Sequence, residues 1–221
     1  MVMPLLNEAV ALEAGLKSFK ALSVNEWICC DGGSTDATLE LLQDRGISIC
    51  QSGKGRALQM NAGAKHCQSD ILLFIHADTE LCEEHIQSIK ELMQDDAVVG
   101  GHFDVRLSGP HWAFRIIEWF MNHRSCLTGI STGDQCLFVR REVFEAMGGF
   151  PEQALMEDVE FSKRLKRHGK VACLHQKVTT SSRRWEKHGI VKTIWLMWKL
   201  RFLYWLGTSP EKLSRMYRNV R

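Results

Sequence analysis

Apolar and polar positions along the first half of the chain fall into short apolar runs separated by helical stripes. The run Ile71-Leu-Leu-Phe-Ile75 is five consecutive apolar residues, the pattern of a strand covered on both faces in a parallel sheet. It stops abruptly on His76-Ala-Asp78. Similar short runs occupy residues 27–30 and 47–50, while Met1-Val-Met3 leaves room for only a very short first strand, with Pro4-Leu-Leu-Asn-Glu8 as the loop after it. Helical spacing links Val10, Leu12, Leu16 and Phe19 over residues 8–20. Further helices are predicted at 35–45 with Ser34 as N-cap, from Gly53-Lys-Gly-Arg56 through residue 66, and at 81–93. Strands alternating with helices over residues 1–95 predict a doubly wound, mostly parallel α/β sheet flanked by helices. Right-handed crossovers then bring the loops at Asn7-Glu8, Asp31, Lys54 and Asp78 to one edge, where such sheets bind ligands.

The second half is more mixed. Residues 98–107 read as a strand and 112–122 as a helix. A short strand at 135–139 follows the loop Ser131-Thr-Gly-Asp134. A helix at 141–147 ends on Gly148-Gly149, and a helix at 157–168 is closed by Gly169. From Trp185 onward the chain reads as helical, broken near Gly207-Thr-Ser-Pro210. With no repeat, linker or low-complexity stretch, residues 1–221 are expected to form one domain of two halves, 1–95 and 96–182. A basic, Trp-rich helical tail, 183–221, completes it.

Composition narrows the class. A 45% hydrophobic and 24% charged content over 221 residues suits one domain with a full core. The formal net charge of +2 does not single out a nucleic-acid partner, and none is expected. No apolar run is long enough to span a bilayer, and the longest, 190–206, is interrupted by Lys192, Lys199 and Arg201. The eight cysteines include no C-x-x-C pair or zinc-like spacing, and several lie in apolar runs. With no signal peptide at the start, this leads to the expectation of reduced thiols in a cytoplasmic protein.

Candidate chemistry sits mostly where strands end. Asp78, with His76 two residues earlier, suits a divalent cation holding a diphosphate, because hard cations take oxygen ligands; it equally suits a helix cap. Asp31-Gly-Gly-Ser-Thr-Asp36 has glycines that let a ligand approach and an Asp able to accept from a nucleobase N–H or ribose hydroxyl, or it is an ordinary turn. It matches neither the P-loop nor the dinucleotide fingerprint. Lys54 and Arg56 stand at a helix N-terminus, a natural anion site, or form a solvated basic loop; Asn61, two turns on, is either core or ligand-facing. Glu157 and Asp158 point about 100° apart on a helix, so a general base and a hydrogen-bonding partner are a plausible division. Both are also acids that a helix dipole favours in its first turn. Arg183-Arg-Trp185 offers cations and a ring for a diphosphate, a pyranose face or membrane phosphate. Val191, Trp195, Trp198, Phe202 and Trp205 form one stripe, either core or an interfacial membrane contact.

The ordered set Pro4-x-x-Asn7-Glu8, Asp31-Gly-Gly-Ser-Thr-Asp36, Gly53-x-Gly-Arg56, His76-Ala-Asp78, Gly133-Asp-Gln135 and Glu157-Asp158 resembles a family 2 glycosyltransferase of the GT-A (Rossmann-like) fold. With Arg184-Trp-Glu-Lys-His188 running into a hydrophobic helix, it is most similar to the small bacterial arsenosugar-biosynthesis-type group. The resemblance implies an inverting transfer of a sugar from a nucleotide-diphosphate donor, UDP favoured over GDP, to an unidentified acceptor hydroxyl. Residues 1–95 would form the nucleotide-binding half and 96–182 the acceptor and catalytic half. Pro4, Asn7, Glu8, Asp31, Gly32, Asp36, Lys54, Arg56, Asn61 and Ala77 would line the nucleotide-sugar pocket. Asp78, with His76 in place of the family's first metal-motif Asp, would hold Mn2+ or Mg2+. Gly133, Asp134 and Gln135 would lie toward the acceptor, Arg184 and Trp185 near the diphosphate. Asp158 matches the catalytic base, beside Glu157. The Trp stripe among Lys192, Lys199 and Arg201 leaves open peripheral attachment to the inner membrane face through the C-terminal helix. A catalytically silent nucleotide-sugar binder or membrane-associated subunit is the alternative. A sugar nucleotidyltransferase fits less well, because the loop after the first strand has neither glycine nor cation.

Overall fold

The computed structural model describes residues 1–218, so positions 219–221 of the predicted tail lie outside the described residues. Four short strands, β1 (Val2–Leu5), β2 (Ile28–Asp31), β3 (Ser48–Gln51) and β4 (Ile71–Leu73), alternate with helices α1 (Ala9–Lys20), α2 (Thr38–Gln43) and α3 (Arg56–Lys65). β1, β2 and β3 pair in parallel. β4 joins them beside β1 through a parallel bridge between Val2 and Phe74, and the Ile75 amide donates to the Val2 carbonyl. After the two-residue β5 (Thr79–Glu80) and α4 (Glu83–Leu92) come β6 (Val98–Leu107), α5 (Trp112–Thr128), β7 (Phe138–Arg140), α6 (Arg141–Ala146), α7 (Glu157–Leu165) and β8 (Lys170–Thr180). β7 runs antiparallel to both β4 and β6, and β8 runs parallel to β6, with β5 on its outer edge. The result is one mixed sheet in the order β3-β2-β1-β4-β7-β6-β8-β5.

The alternation of side chains along each strand explains why this sheet is wound on both faces. Met1, Met3, Leu5, Cys29, Leu73 and Ile75 enter one core with Leu12, Leu16 and Phe19 of α1 and Ile86 and Ile89 of α4. Their neighbours Val2, Ile28, Cys30, Leu72 and Phe74 enter the other, with Ala57 and Met60 of α3, Phe144 of α6 and Phe161 and Leu165 of α7.

Several boundaries differ from the sequence expectation for physical reasons. Pro4 lies in β1 rather than in the loop after it. Ser34 does not cap the second helix, which starts at Thr38; its hydroxyl instead donates to Asp31. Gln135 belongs to the 3-10 turn Gly133–Gln135 rather than to a strand, because its side chain and that of Thr132 cap the turn reciprocally. β8 was not expected at all. Its polar stretch His175-Gln-Lys177 breaks any alternation, because the register with β6 shifts there, from Phe103 opposite Leu174 to Asp104 opposite Lys177. The expectation of reduced thiols also fails at one pair, since Cys126 and Cys173 are bonded as a disulfide.

The tail folds as α8 (Arg183–His188), α9 (Ile190–Trp205) and α10 (Pro210–Arg218). It packs in two places. Trp185, Ile190 and Ile194 meet Leu107, Phe114 and Ile117, while Leu200 and Leu213 bury Met156 at the start of α7. The aromatic stripe of α9 is not core: Trp195, Trp198 and Trp205 are 73%, 69% and 77% exposed. Among the described residues no helix is long and apolar enough to cross a membrane.

Gly100 of β6 lies where neighbouring backbones leave no room. A Cβ there would stand 2.5 Å from the Phe138 carbonyl oxygen and 3.1 Å from the Val139 Cα of β7. Backbone cannot swing aside as a side-chain tip can. Gly100→Ala is therefore expected to destabilise the chain by about 1–3 kcal/mol in urea unfolding; an unchanged midpoint would mean that β6 and β7 are not held this tightly.

Candidate functional site

At the edge where β1, β3 and β4 end, the loops enclose a cleft of about 680 Å3. This is within the usual range for a small-molecule site. Glu8 follows β1, Lys54 and Arg56 open α3, and His76, Ala77 and Asp78 follow β4. Asp134 comes from the turn before β7 and Glu157 from the first turn of α7. The C-terminal helices close the remaining side with Arg183, Arg184, Trp185 and Lys187 of α8 and Tyr217 of α10, and Arg184 stacks 5.0 Å over the Tyr217 ring.

The acids in this cleft are held against their own preference. Burial, followed by the neighbouring Asp134, pushes the Asp78 carboxyl above the ordinary carboxylate range, with Arg56 and Arg183 opposing. His76 is pushed down to about 3, first by burial and then by Arg56, so its ring is neutral at physiological pH. Its Nδ1 lies 3.8 Å from Asp134 Oδ1. The ring can lie this close to the turn only because Gly133 has no side chain: a Cβ there would be 2.7 Å from the imidazole. Two mutually repelling carboxylates beside a neutral imidazole are a donor set that fits a divalent cation.

Beside the cleft, sharing His76 and Glu157 with it, lies a narrow cavity of about 10 Å3 that Gly133 and Asp158 also line. Asp158 accepts from the Gly133 amide at 3.0 Å and from the Val159 amide at 2.7 Å. Burial raises its pKa while these two donors pull it back. Glu157 has no comparable support. Burial and the charge of Asp158 push it up to about 7. Of this coupled pair, Asp158 is the member equipped to hold the negative charge.

The remaining sequence candidates serve the loops rather than the cleft wall. Asp31 is 2% exposed and accepts from the Gly33 and Ser34 amides. Asp36 accepts from the Thr38 and Ala9 amides, and Asn7 accepts from the Thr35 amide while its own amide donates to Ser34. Together they clasp the loop after β2 to the loop after β1. Gly32 lies against the Gln59 amide, where a Cβ would be 2.9 Å from its nitrogen. Asn61 holds the Phe150 backbone through both its amide atoms and does not face the cleft. Gln135 is fully buried, donating to the Phe103 carbonyl and to Ser125. Pro4 does line the cleft.

Sequence reasoning missed other contributors. Gln59 lines the cleft and donates to the Leu5 and Cys30 carbonyls, tying the ends of β1 and β2 together. Lys187, Ser214 and Tyr217 reach the cleft only because the tail folds back. Arg124 of α5 lies within electrostatic reach of Asp158 and Asp134, and its buried Nε and one terminal nitrogen find no partner among the described residues. No local pattern marks Arg124, which sits in a Trp-rich helix like any solvated arginine.

A family model described as "Glycosyl transferase family 2" matches residues 1–148. No curated protein matches the chain. Among solved structures, S. aureus TarS residues 1–349 superposes with a TM-score of 0.66 at 16% identity, covering 82% of this chain and 59% of that one. The same fragment in complex with UDP-GlcNAc gives 0.65 at 16% identity, covering 82% and 57%. The mannosyltransferase PcManGT from Pyrobaculum calidifontis, in complex with GDP-Man and Mn2+, gives 0.69 at 17% identity, covering 99% of this chain and 68% of that one. The chain thus spans less than two thirds of the TarS fragment.

The raised Glu157 carboxyl has a consequence for stability. Folded chain holds a proton there that unfolded chain releases above the ordinary value of 4.5. The resulting destabilisation is absent below about pH 4.5, grows as pH rises, and is complete above pH 7, at up to about 3 kcal/mol. Glu157→Gln is expected to raise the midpoint of thermal unfolding at pH 8 and to leave it unchanged at pH 4.5. Equal shifts at both values would show that the carboxyl is not perturbed.

Proposed function

The chain belongs to glycosyl transferase family 2 and has the GT-A fold, and on that premise we propose that it transfers a sugar, with inversion, from a nucleoside-diphosphate donor to an acceptor hydroxyl. The observation that carries this reading is the meeting, in one cleft, of the buried Glu157 and the partly buried Asp78 and Asp134 with Lys54, Arg56, Arg183 and Arg184. Cations on the wall suit a diphosphate. The acids suit a divalent metal and the handling of a proton.

In this proposal Asp78, with His76 and Asp134 beside it, holds Mn2+ or Mg2+. Once bound, the ion supplies Lewis-acid stabilisation of the charge that develops on the departing diphosphate. Arg56 and Arg184 orient the diphosphate by charge-assisted hydrogen bonds. Asp158, kept anionic by the Gly133 and Val159 amides, takes the proton from the acceptor hydroxyl, and Glu157 binds as the protonated partner. UDP is proposed ahead of GDP as the donor nucleotide. The segment from Arg184 to His188 running into α9 is our reason for placing the chain with the arsenosugar-biosynthesis-type group.

Two assays separate these roles. Calorimetric titration with UDP and GDP, each with and without Mn2+, is expected to show metal-dependent binding of one nucleotide. Asp78→Ala should abolish that dependence. Asp158→Asn should bind nucleotide normally and lose transfer by roughly 10²–10⁴-fold. Wild-type turnover in Asp158→Asn would sink the base assignment, and no binding of either nucleotide would remove the donor site.

We further propose that the enzyme is cytoplasmic and works against an anionic membrane surface. Trp195, Trp198, Phe202 and Trp205 on α9 are exposed among Lys192 and Lys199. Exposed Trp112, Ile116, Trp119 and Phe120 belong to α5, which shares an apolar cluster with α9. Apolar side chains of this size left in water alongside cations fit an interfacial helix. In vesicle sedimentation, anionic vesicles should retain the chain, and the double change Trp195→Ala, Trp198→Ala should weaken retention by at least about tenfold. Equal retention of the variant would refute the contact.

A further inference from the structure

Away from the cleft, four potential metal ligands converge from three elements: Asp104 on β6, Cys126 on α5, and Cys173 and His175 on β8. Each offers one donor atom, and these atoms lie within 4.8 Å of one another. We propose that in the reduced protein this cluster is a zinc-class site that staples α5 to the β6–β8 edge of the sheet. This site is independent of the glycosyl-transfer reading and would stand if that reading failed.

The geometry supports the assignment first. A tetrahedral ion with bonds of roughly 2.0–2.3 Å keeps its donors about 3.3–3.8 Å apart. Asp104 Oδ2 is 3.3 Å from His175 Nδ1, and the other oxygen, Oδ1, is 3.7 and 3.8 Å from the Cys126 and Cys173 sulfurs, which are bonded to each other here and part to that spacing only on reduction. The backbone departs from regular pairing to achieve this. The register shift between Phe103 and Asp104 falls opposite His175, within a strand pair otherwise followed closely from Gly100 to Leu107. Bulges of this kind re-aim side chains. The chemistry points the same way. Asp104 is 8% exposed, yet among the described residues its side chain meets only two sulfurs and one imidazole. A buried carboxylate needs a countercharge. Two thiolates, one imidazole and one carboxylate select a borderline-soft ion such as Zn2+ over the hard Mg2+, Mn2+ or Ca2+. Four protein ligands leave no open position, so the site is structural rather than catalytic.

The disulfide is the competing state of the same two cysteines. A dithiol reductant supplies two electrons and two protons, the S–S bond breaks, and Cys126 and Cys173 become thiols while the reductant is oxidised to its own disulfide. Zn2+ then displaces the two thiol protons and binds both sulfurs together with His175 and Asp104. The loop carrying Gly133 and Asp134 begins where α5 ends, and Ser125, next to Cys126, accepts from Gln135 in that turn. Fixing the end of α5 therefore fixes the loop that supplies part of the cleft.

The test is elemental analysis of the full chain, purified with a thiol reductant and no chelator, together with thiol titration after denaturation in chelator. About one zinc per chain and all eight cysteines reactive are expected. The double change Cys126→Ser, Cys173→Ser should lose the zinc, and Cys82→Ser, an exposed cysteine outside the cluster, should keep it. His175→Ala changes an exposed side chain and so should fold. It should weaken zinc binding by at least about tenfold in competition with a chromogenic chelator. Co2+ in place of zinc should give the thiolate charge-transfer absorption of a tetrahedral site. No zinc as isolated and none taken up by the reduced chain, full zinc in the double variant, or an octahedral Co2+ spectrum would each overturn the proposal.

Discussion

A sheet that is dry on both faces is the constraint on which the rest of this molecule depends. Val2 and Met3, Cys29 and Cys30, and Leu72 and Leu73 send alternate side chains into opposite cores. Over β1, β2 and β4 neither face can then present polar chemistry. Charged groups there are confined to the strand ends, and the parallel direction of β1 to β4 puts those ends together on one edge. The weakest joint in this scheme is the β1–β4 neighbour relation, a single bridge at Val2 and Phe74 and the amide bond from Ile75 to Val2. Yet that joint places the residues after Ile75, including His76 and Asp78, beside those after Leu5.

The electrostatics of the cleft arise from that confinement. Asp78, Glu157 and Asp158 are all raised chiefly by burial, and His76 is lowered by it. A group of buried acids with Arg56 as a shared counterion is poised for added positive charge at one place and for proton exchange at another. His76 and Glu157 line both the cleft and the small cavity, so the two roles adjoin. Gly133 serves both, giving the imidazole room and donating its amide to Asp158. The C-terminal helices complete the enclosure. Their packing on Met156 sets the start of α7, where both catalytic candidates stand.

Much of this was legible in the residue pattern, and the reasons for the misses are specific. The βα units of residues 1–95 were readable because each strand is a local apolar run and each helix a local stripe. β8 was not readable, since the register shift at His175 disrupts the alternation that marks a strand. For Asp31 and Asp36 the pattern shows only acids at strand-end loops, while the fold shows that Gly33, Ser34 and Thr38 donate hydrogen bonds to them. Gln59, Arg124 and Tyr217 carry no local sign of their positions. The Trp stripe of α9 has one helical spacing whether it faces a core or water, and only the packing of Ile190, Ile194 and Leu200 shows which side is buried.

By itself, then, the sequence determined the doubly wound frame, the ends of its strands and the residue types delivered there, because periodicity and strand-end position are local properties. Tertiary structure alone decided which carboxylates are desolvated, that Asp158 rather than Glu157 receives two amide donors, and that the stripe of α9 faces outward. It also brought Asp104, Cys126, Cys173 and His175 together from three separate elements. Those outcomes depend on burial and on contacts between segments far apart in the chain, which no local spacing encodes.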